Sequence, residues 1–159
     1  MTGKEGGADP RRPFVFLDHV LVPVSDLEEA AERFRDEYGL QVLPGGRHPW
    51  GTANMIIPLG SNYIELIAVV DATRAADSPR YRRIAEAARA GKPFATWAAR
   101  TDDLNRLRKT LRARGWKLEP ALDGSRVRPD GILLEWRSQE LVPNAAPSVL
   151  PFLIEWQGP

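Results

Sequence analysis

Cysteine is absent from the chain, which rules out disulfides, thiolate metal sites and a cysteine nucleophile. That absence fits a reducing compartment, and a cytoplasmic location is the expectation. Histidine is nearly absent as well, with His19 and His48 the only two. No apolar run is long enough to span a bilayer, so no membrane is expected as a partner. No excess of one charge exists: acids and bases are interspersed and the formal net charge is +1, so nothing calls for a nucleic-acid partner. There is also no Gly-rich phosphate loop with lysine, no GxSxG, no HExxH and no Rossmann fingerprint. Met1 to Pro13 is Gly-rich, charged and without an apolar segment of signal-peptide type, and reads as a disordered tail.

What remains is 159 residues of ordinary globular composition, enough for one domain or two small modules that share a core. The organising stretch is Phe14 to Val24. By period-two alternation, Val15, Leu17, His19 and Leu21 share one face of a strand, opposite Phe14, Phe16, Val20 and Val22. A histidine among Val and Leu needs a partner or stays neutral. Ser25 and Glu28 have capping-box spacing, and the helix that follows carries Leu27, Ala30, Ala31, Phe34 and Tyr38 on one face up to Gly39. Leu40–Leu43, Thr52–Leu59 and Tyr63–Val69 read as strands, with a Pro- and Gly-rich loop at 44–51. A connector at 71–93 holds a helix started by Ser78-Pro79, whose arginines (Arg80, Arg82, Arg83 and Arg89) read as a solvated face.

The second half repeats the order. Phe94–Ala99 is a strand, Thr101-Asp-Asp103 caps a helix with Leu104, Leu107 and Leu111, and strands follow at 116–122, 132–136 and 150–156. The stretch 124–131 reads as a turn and 142–148 as a loop. Asp26-Leu27 matches Asp103-Leu104, Phe34 matches Leu111, and Tyr63-Ile-Glu-Leu66 matches Leu153-Ile-Glu-Trp156.

That match singles out Glu65 and Glu155, each a carboxylate in an apolar strand, costly unless paired or metal-bound. With His19 they would make one imidazole and two carboxylates, suited to a divalent ion. Against this stands the plainer reading, in which each glutamate meets water and His19 bonds a backbone carbonyl. Glu135 competes with Glu155 for the inward place. His48, Trp50 and Asn54 crowd the Gly-rich loop and are candidates for ligand contact, while Trp50 packing on the neighbouring helix is the alternative. Arg126 and Arg128 could meet an anion, or could be exposed strand arginines. Trp97, one place off the ligand position, is expected to point away.

His19 on the first strand, an Asp-Leu-initiated helix, Gly45 to Asn54, Ile57-Pro-Leu-Gly60, Tyr63-Ile-Glu-Leu-Ile67 and the ending Leu150 to Trp156 together resemble the vicinal oxygen chelate superfamily, in its glyoxalase-like branch. The resemblance covers roughly Leu17 to Trp156. It implies an α+β fold of two βαβββ modules, 14–70 and 94–159, whose sheets curl into one mixed cup with helices outside. It also implies a small-molecule enzyme, of metal-assisted lyase, isomerase or dioxygenase type, with a divalent Mn, Fe, Ni, Zn or Mg ion, and a homodimer. His19, Glu65 and Glu155 would fill three of the four ligand places, with Glu155 a possible base. The fourth falls on Thr96, a poor ligand that would instead touch substrate. Thr96 and the five tryptophans favour the alternative, a metal-free protein that binds or sequesters a small molecule.

Overall fold

The computed structural model describes residues 15–142 and 150–158. The expected tail at 1–13 and nearly all of the expected loop at 142–148 lie outside the described residues. The first module runs β1 (Val15–Pro23), α1 (Leu27–Tyr38), β2 (Leu43–Arg47), β3 (Thr52–Leu59) and β4 (Asn62–Val69). Two helices, α2 (Ala72–Ala75) and α3 (Pro79–Arg89), connect it to the second. There β5 (Thr96–Thr101) and α4 (Leu104–Ala113) lead to β6 (Lys117–Leu118), β7 (Leu122–Val127), β8 (Leu133–Gln139), β9 (Leu141–Val142) and β10 (Phe152–Gln157).

Eight strands form one mixed sheet in the order β2-β3-β4-β1-β5-β10-β8-β7, while β6 and β9 pair separately. Each half has the same plan: first strand at the centre, last strand beside it, and the two middle strands outermost. The halves join through antiparallel β1 and β5, and each first strand pairs in parallel with its own last strand. This is the two-module βαβββ cup expected from the resemblance. The ends of the sheet approach one another, because a Cβ on Gly46 of β2 would stand 3.3 Å from the Val127 carbonyl oxygen of β7.

Local chemistry explains the elements. Asp26, rather than Ser25, caps α1; its carboxylate accepts the Glu28 and Glu29 amides at 2.8 and 3.0 Å. Gly39 ends that helix in the left-handed conformation, φ 63°. Asp103 caps α4 through the Arg106 amide. Ser78 makes no side-chain cap, so Pro79 with its preset φ is what starts α3. Two stretches read as loop are strand: Pro44–Arg47 belongs to β2, and Gly124–Val127 to β7. Their glycines sit where neighbours come close. A Cβ on Gly45 would meet Asn54 Oδ1 at 2.0 Å. One on Gly124 would fall 2.5 Å from ring carbons of both Trp50 and Trp136. Gly124→Ala is therefore expected to cost about 1–3 kcal/mol by overpacking, read as a lower urea midpoint at unchanged slope.

Helices α1 and α4 cover the outer face. Ala31 packs with Ile57 and Leu66, and Leu104 and Leu107 pack with Ala99 and Leu153. Trp97 joins this outer cluster, pointing away from the hollow as its parity requires. The connector helix α3 behaves differently. Tyr81 and Ile84 pack with Leu21, Ile67, Ala98, Phe152 and Ile154 on the inner face, so α3 closes part of the cup. Arg80 is consequently buried rather than solvated, with Nε on Glu140 and its guanidinium 3.9 Å from the centre of the Phe152 ring. Among the described residues no helix is long and apolar enough to cross a membrane.

Candidate active site

The polar centre of the cup begins with an irregularity in β1. Leu17 faces Ala99 and His19 faces Ala98, so Asp18 is an extra residue with no partner on β5. Such a bulge breaks strict alternation and lets adjacent side chains turn inward together. Asp18 and His19 are both buried, each 3% exposed. Asp18 Oδ1 lies 2.6 Å from His19 Nδ1, and Asp18 Oδ2 accepts the Trp156 indole N–H at 3.1 Å. Arg100 Nε stands 3.7 Å from the same oxygen.

On the far side of the imidazole, Nε2 is 3.3 Å from Glu65 Oε2. Parallel pairing of β1 with β4 sets this up: Tyr63 is in register with His19 and Glu65 with Leu21, so both point into the cup. The Tyr63 ring stacks on His19 at 4.5 Å, with planes 16° apart. Glu65 Oε1 accepts Asn54 Nδ2–H at 2.6 Å, and Asn54 Oδ1 in turn accepts the Gly46 amide at 2.9 Å. His48 Nε2 reaches within 3.9 Å of Glu65 Oε1, while its Nδ1 bonds the Thr52 hydroxyl at 2.8 Å. A continuous line of titratable groups thus runs Asp18, His19, Glu65, His48.

Burial disfavours the charged forms of His19, Glu65 and His48, and their contacts decide how far that goes at each. Burial pulls the His19 pKa down, but hydrogen bonds to Asp18 and Glu65 and the two negative charges more than offset it, leaving the pKa above the ordinary 6.5. Burial pushes Glu65 up, and the bond to His19, the charges of His19 and His48, and the Asn54 amide together bring it to about 2. At His48 burial is offset only in part by the Glu65 charge, and the positive charges of Arg126, His19 and Arg80 work against that offset. Burial dominates there and lowers its pKa below 6.5. The two tyrosines lining the space stay protonated, Tyr63 well above 10 and Tyr81 at about 12, both chiefly through burial.

Around this line the cavity is walled by Trp136, Phe152, Ile154 and Trp156 from the second module, and by Arg80 and Tyr81 from α3. The cavity has a volume of about 40 Å³. Arg126 of β7 also lines it.

His19, Glu65, His48 and Asn54 are thus brought together, with Arg126 also on the cavity wall, and the other candidates are not. Glu155 is a correction. It stands on the outer face, where Oε1 accepts the Leu104 amide at the start of α4 at 3.2 Å. The inward places on β10 belong to Phe152, Ile154 and Trp156. Glu155→Ala is accordingly expected to cost about 1 kcal/mol through the lost helix-start acceptor and to leave ligand affinity unchanged, measured by thermal melts and ligand titration. Glu135 is exposed and does not take the vacated role. Thr96 pairs with Leu21, and its hydroxyl bonds the Leu150 carbonyl oxygen at 3.5 Å; Ala98 is the residue opposite His19. Trp50 stacks on Tyr81 at 5.7 Å and packs against the core behind the cavity, so it supports the wall without lining it. Arg128 is half-exposed and paired with Asp130 at 2.7 Å. Asp18 and Arg80 were missed. The Asp-His pair was visible in the sequence, but period-two alternation put Asp18 on the wrong face.

The resemblance implies a divalent ion, and the donor set of the cup does not suit one. His19 and Glu65 bond one another directly, the second module offers Ala98 and Ile154 at the inward places, and Glu155 is turned away. Among the described residues no group of three or more His, Asp or Glu side chains is disposed to hold a metal ion. The residues present do not fit that ion.

This cup of paired βαβββ modules is the architecture of the vicinal oxygen chelate superfamily. The chain belongs to the glyoxalase-like domain family, which it matches over residues 17–159. No curated protein matches it. Among solved structures, it is similar to a hypothetical protein from Staphylococcus aureus at 17% identity and a TM-score of 0.78; the match covers 92% of this chain and spans only 60% of that one. Methylmalonyl-CoA epimerase from Mycobacterium tuberculosis is 25% identical, with a TM-score of 0.61 over 87% of this chain and 86% of that one. A Streptomyces coelicolor methylmalonyl-CoA epimerase in complex with 2-nitronate-propionyl-CoA is 20% identical, with a TM-score of 0.61 over 87% and 95%.

Proposed function

We propose that this chain is a small-molecule enzyme that moves a proton on its substrate, in the manner of an isomerase or lyase. The observation that carries this reading is the pair of histidines in one cavity, joined through Glu65 and driven apart in pKa. The shift favours imidazolium at His19 and neutral imidazole at His48, which is how a site keeps an acid and a base ready at the same pH. His48 is the base, a role that takes the tautomer in which Nδ1–H is donated to the Thr52 hydroxyl and Nε2 carries the lone pair. It takes a proton from a carbon beside a carbonyl group. The His19–Glu65 pair, which holds one proton between two strong acceptors, returns one to the substrate. The proton on His48 then passes back across the 3.9 Å to Glu65, so the site ends as it began. The epimerases among the similar structures support an isomerase class. Because the donor set does not fit a divalent ion, no step is routed through one.

Solvent exchange tests this. The protein is incubated in deuterated water with methylmalonyl-CoA and with a set of small 2-oxo and 2-hydroxy acids, and the hydrogen next to each carbonyl is followed by NMR. Enzyme-dependent loss of that hydrogen from at least one compound is expected. Tight binding without exchange would favour the second reading, a sequestering protein, for which the aromatic wall of Trp136, Trp156 and Phe152 speaks.

A further inference from the structure

Among the described residues two arginines line the cavity, and they are not equivalent. Arg80 is already answered: Glu140 takes its Nε, Ser138 lies at 3.4 Å from its Nη2, and Phe152 covers its face. Arg126 is partly buried and has no ion pair or hydrogen bond of its own among the described residues. The nearby carboxylates are spoken for. Asp18 has His19 and Arg100, and Glu65 has His19 and the Asn54 amide. A guanidinium withdrawn from water without a partner costs free energy that an incoming anion would recover. The fold also makes room for it. Gly46, where the sheet ends meet, carries no side chain, and a Cβ there would sit 3.6 Å from Arg126 Cδ. The arginine stem therefore runs past the β2 backbone to bring its head to the cavity.

We propose that Arg126 is the anchor for a carboxylate on the substrate, so that the substrate class is a small organic acid with an apolar or aromatic body. The planar fork of the guanidinium matches the two oxygens of a carboxylate. Trp136, Trp156 and Tyr81 supply flat apolar walls for the rest of the molecule. This inference rests on the cavity being the substrate site, as proposed above, and adds what the substrate must carry.

The test uses benzoate and its neutral analogue benzamide, titrated into the full chain while tryptophan fluorescence is followed, since Trp136 and Trp156 line the space. Benzoate is expected to bind about 10- to 100-fold more tightly than benzamide, the range of a charge-assisted hydrogen-bonded contact. Arg126→Gln is expected to bring benzoate down to the benzamide level and to leave benzamide unchanged. Arg126→Lys, which keeps the charge and loses the fork, is expected to fall between. Circular dichroism checks that both variants fold. Equal binding of the two probes, unchanged benzoate binding in Arg126→Gln, or no benzoate binding at millimolar concentration each overturns the proposal. Hydrogen exchange by the unaltered protein separates the two readings: a protein that binds benzoate through Arg126 yet exchanges no substrate hydrogen fails the proton-transfer reading alone.

Discussion

Replacing His19 with alanine is expected to destabilise the fold by about 3–5 kcal/mol at pH 6, the cost of removing one partner from a buried ion pair. The change leaves Glu65 and Asp18 buried with their shared cation gone. Asn54 remains on Glu65, and the Trp156 indole and Arg100 remain on Asp18, but none of these contacts replaces a direct bond to an imidazolium. The pH dependence follows from the direction of each shift. Glu65 falls from 4.5 to about 2 in the fold, so its contribution is full above about 4.5 and is lost as pH drops toward 2. His19 is raised above 6.5, so its contribution is full below 6.5 and is lost as pH climbs through the folded value. The gap between wild type and His19→Ala should therefore be widest between the ordinary values of 4.5 and 6.5 and should narrow below pH 3, where the stranded Glu65 carboxylate can take a proton. Urea denaturation across that range measures it. A gap under 1 kcal/mol at pH 6, or one that goes on growing as pH falls below 4.5, contradicts the buried pair.

The second large effect is on chemistry rather than stability. His48→Gln should keep the fold, since a glutamine amide can still bond the Thr52 hydroxyl, but it cannot accept a proton at neutral pH. Loss of a positioned general base typically costs about 10²- to 10⁴-fold. Solvent exchange into any accepted substrate should drop by that much, while affinity for the same substrate changes little. A variant that exchanges at the wild-type rate removes His48 from the mechanism and leaves Glu65 as the remaining candidate.

Much of this architecture could be read along the chain. Two strand–helix–strand runs, each opening its helix with Asp-Leu and closing it on glycine, gave the paired modules. The inward turn of Glu65 was legible because Tyr63, Glu65 and Ile67 share a face with the right chemistry for a cup lining. Glu155 has the same local surroundings, Ile154 before it and Trp156 after, and yet faces the other way. Nothing nearby decides this. Phe152 is in register with Ala98, and Ala98 with His19, so the inward parity on β10 is fixed by pairing between strands more than fifty residues apart. Asp18 was hidden for a related reason, since one unpaired residue in β1 overturns the alternation used to assign it. Arg80 escaped because an arginine-rich helix reads as solvated until its position against the inner face of the sheet is known.

With only two histidines in the chain, imidazole nitrogen NMR of labelled protein, followed as a function of pH, addresses the proton-transfer site without any substrate. The expected result is two separate titrations, one imidazole staying protonated above pH 6.5 and the other staying neutral below it, with the second signal absent from His48→Gln. Two histidines that titrate together near the ordinary value would contradict the acid–base pair on which the proposed activity stands.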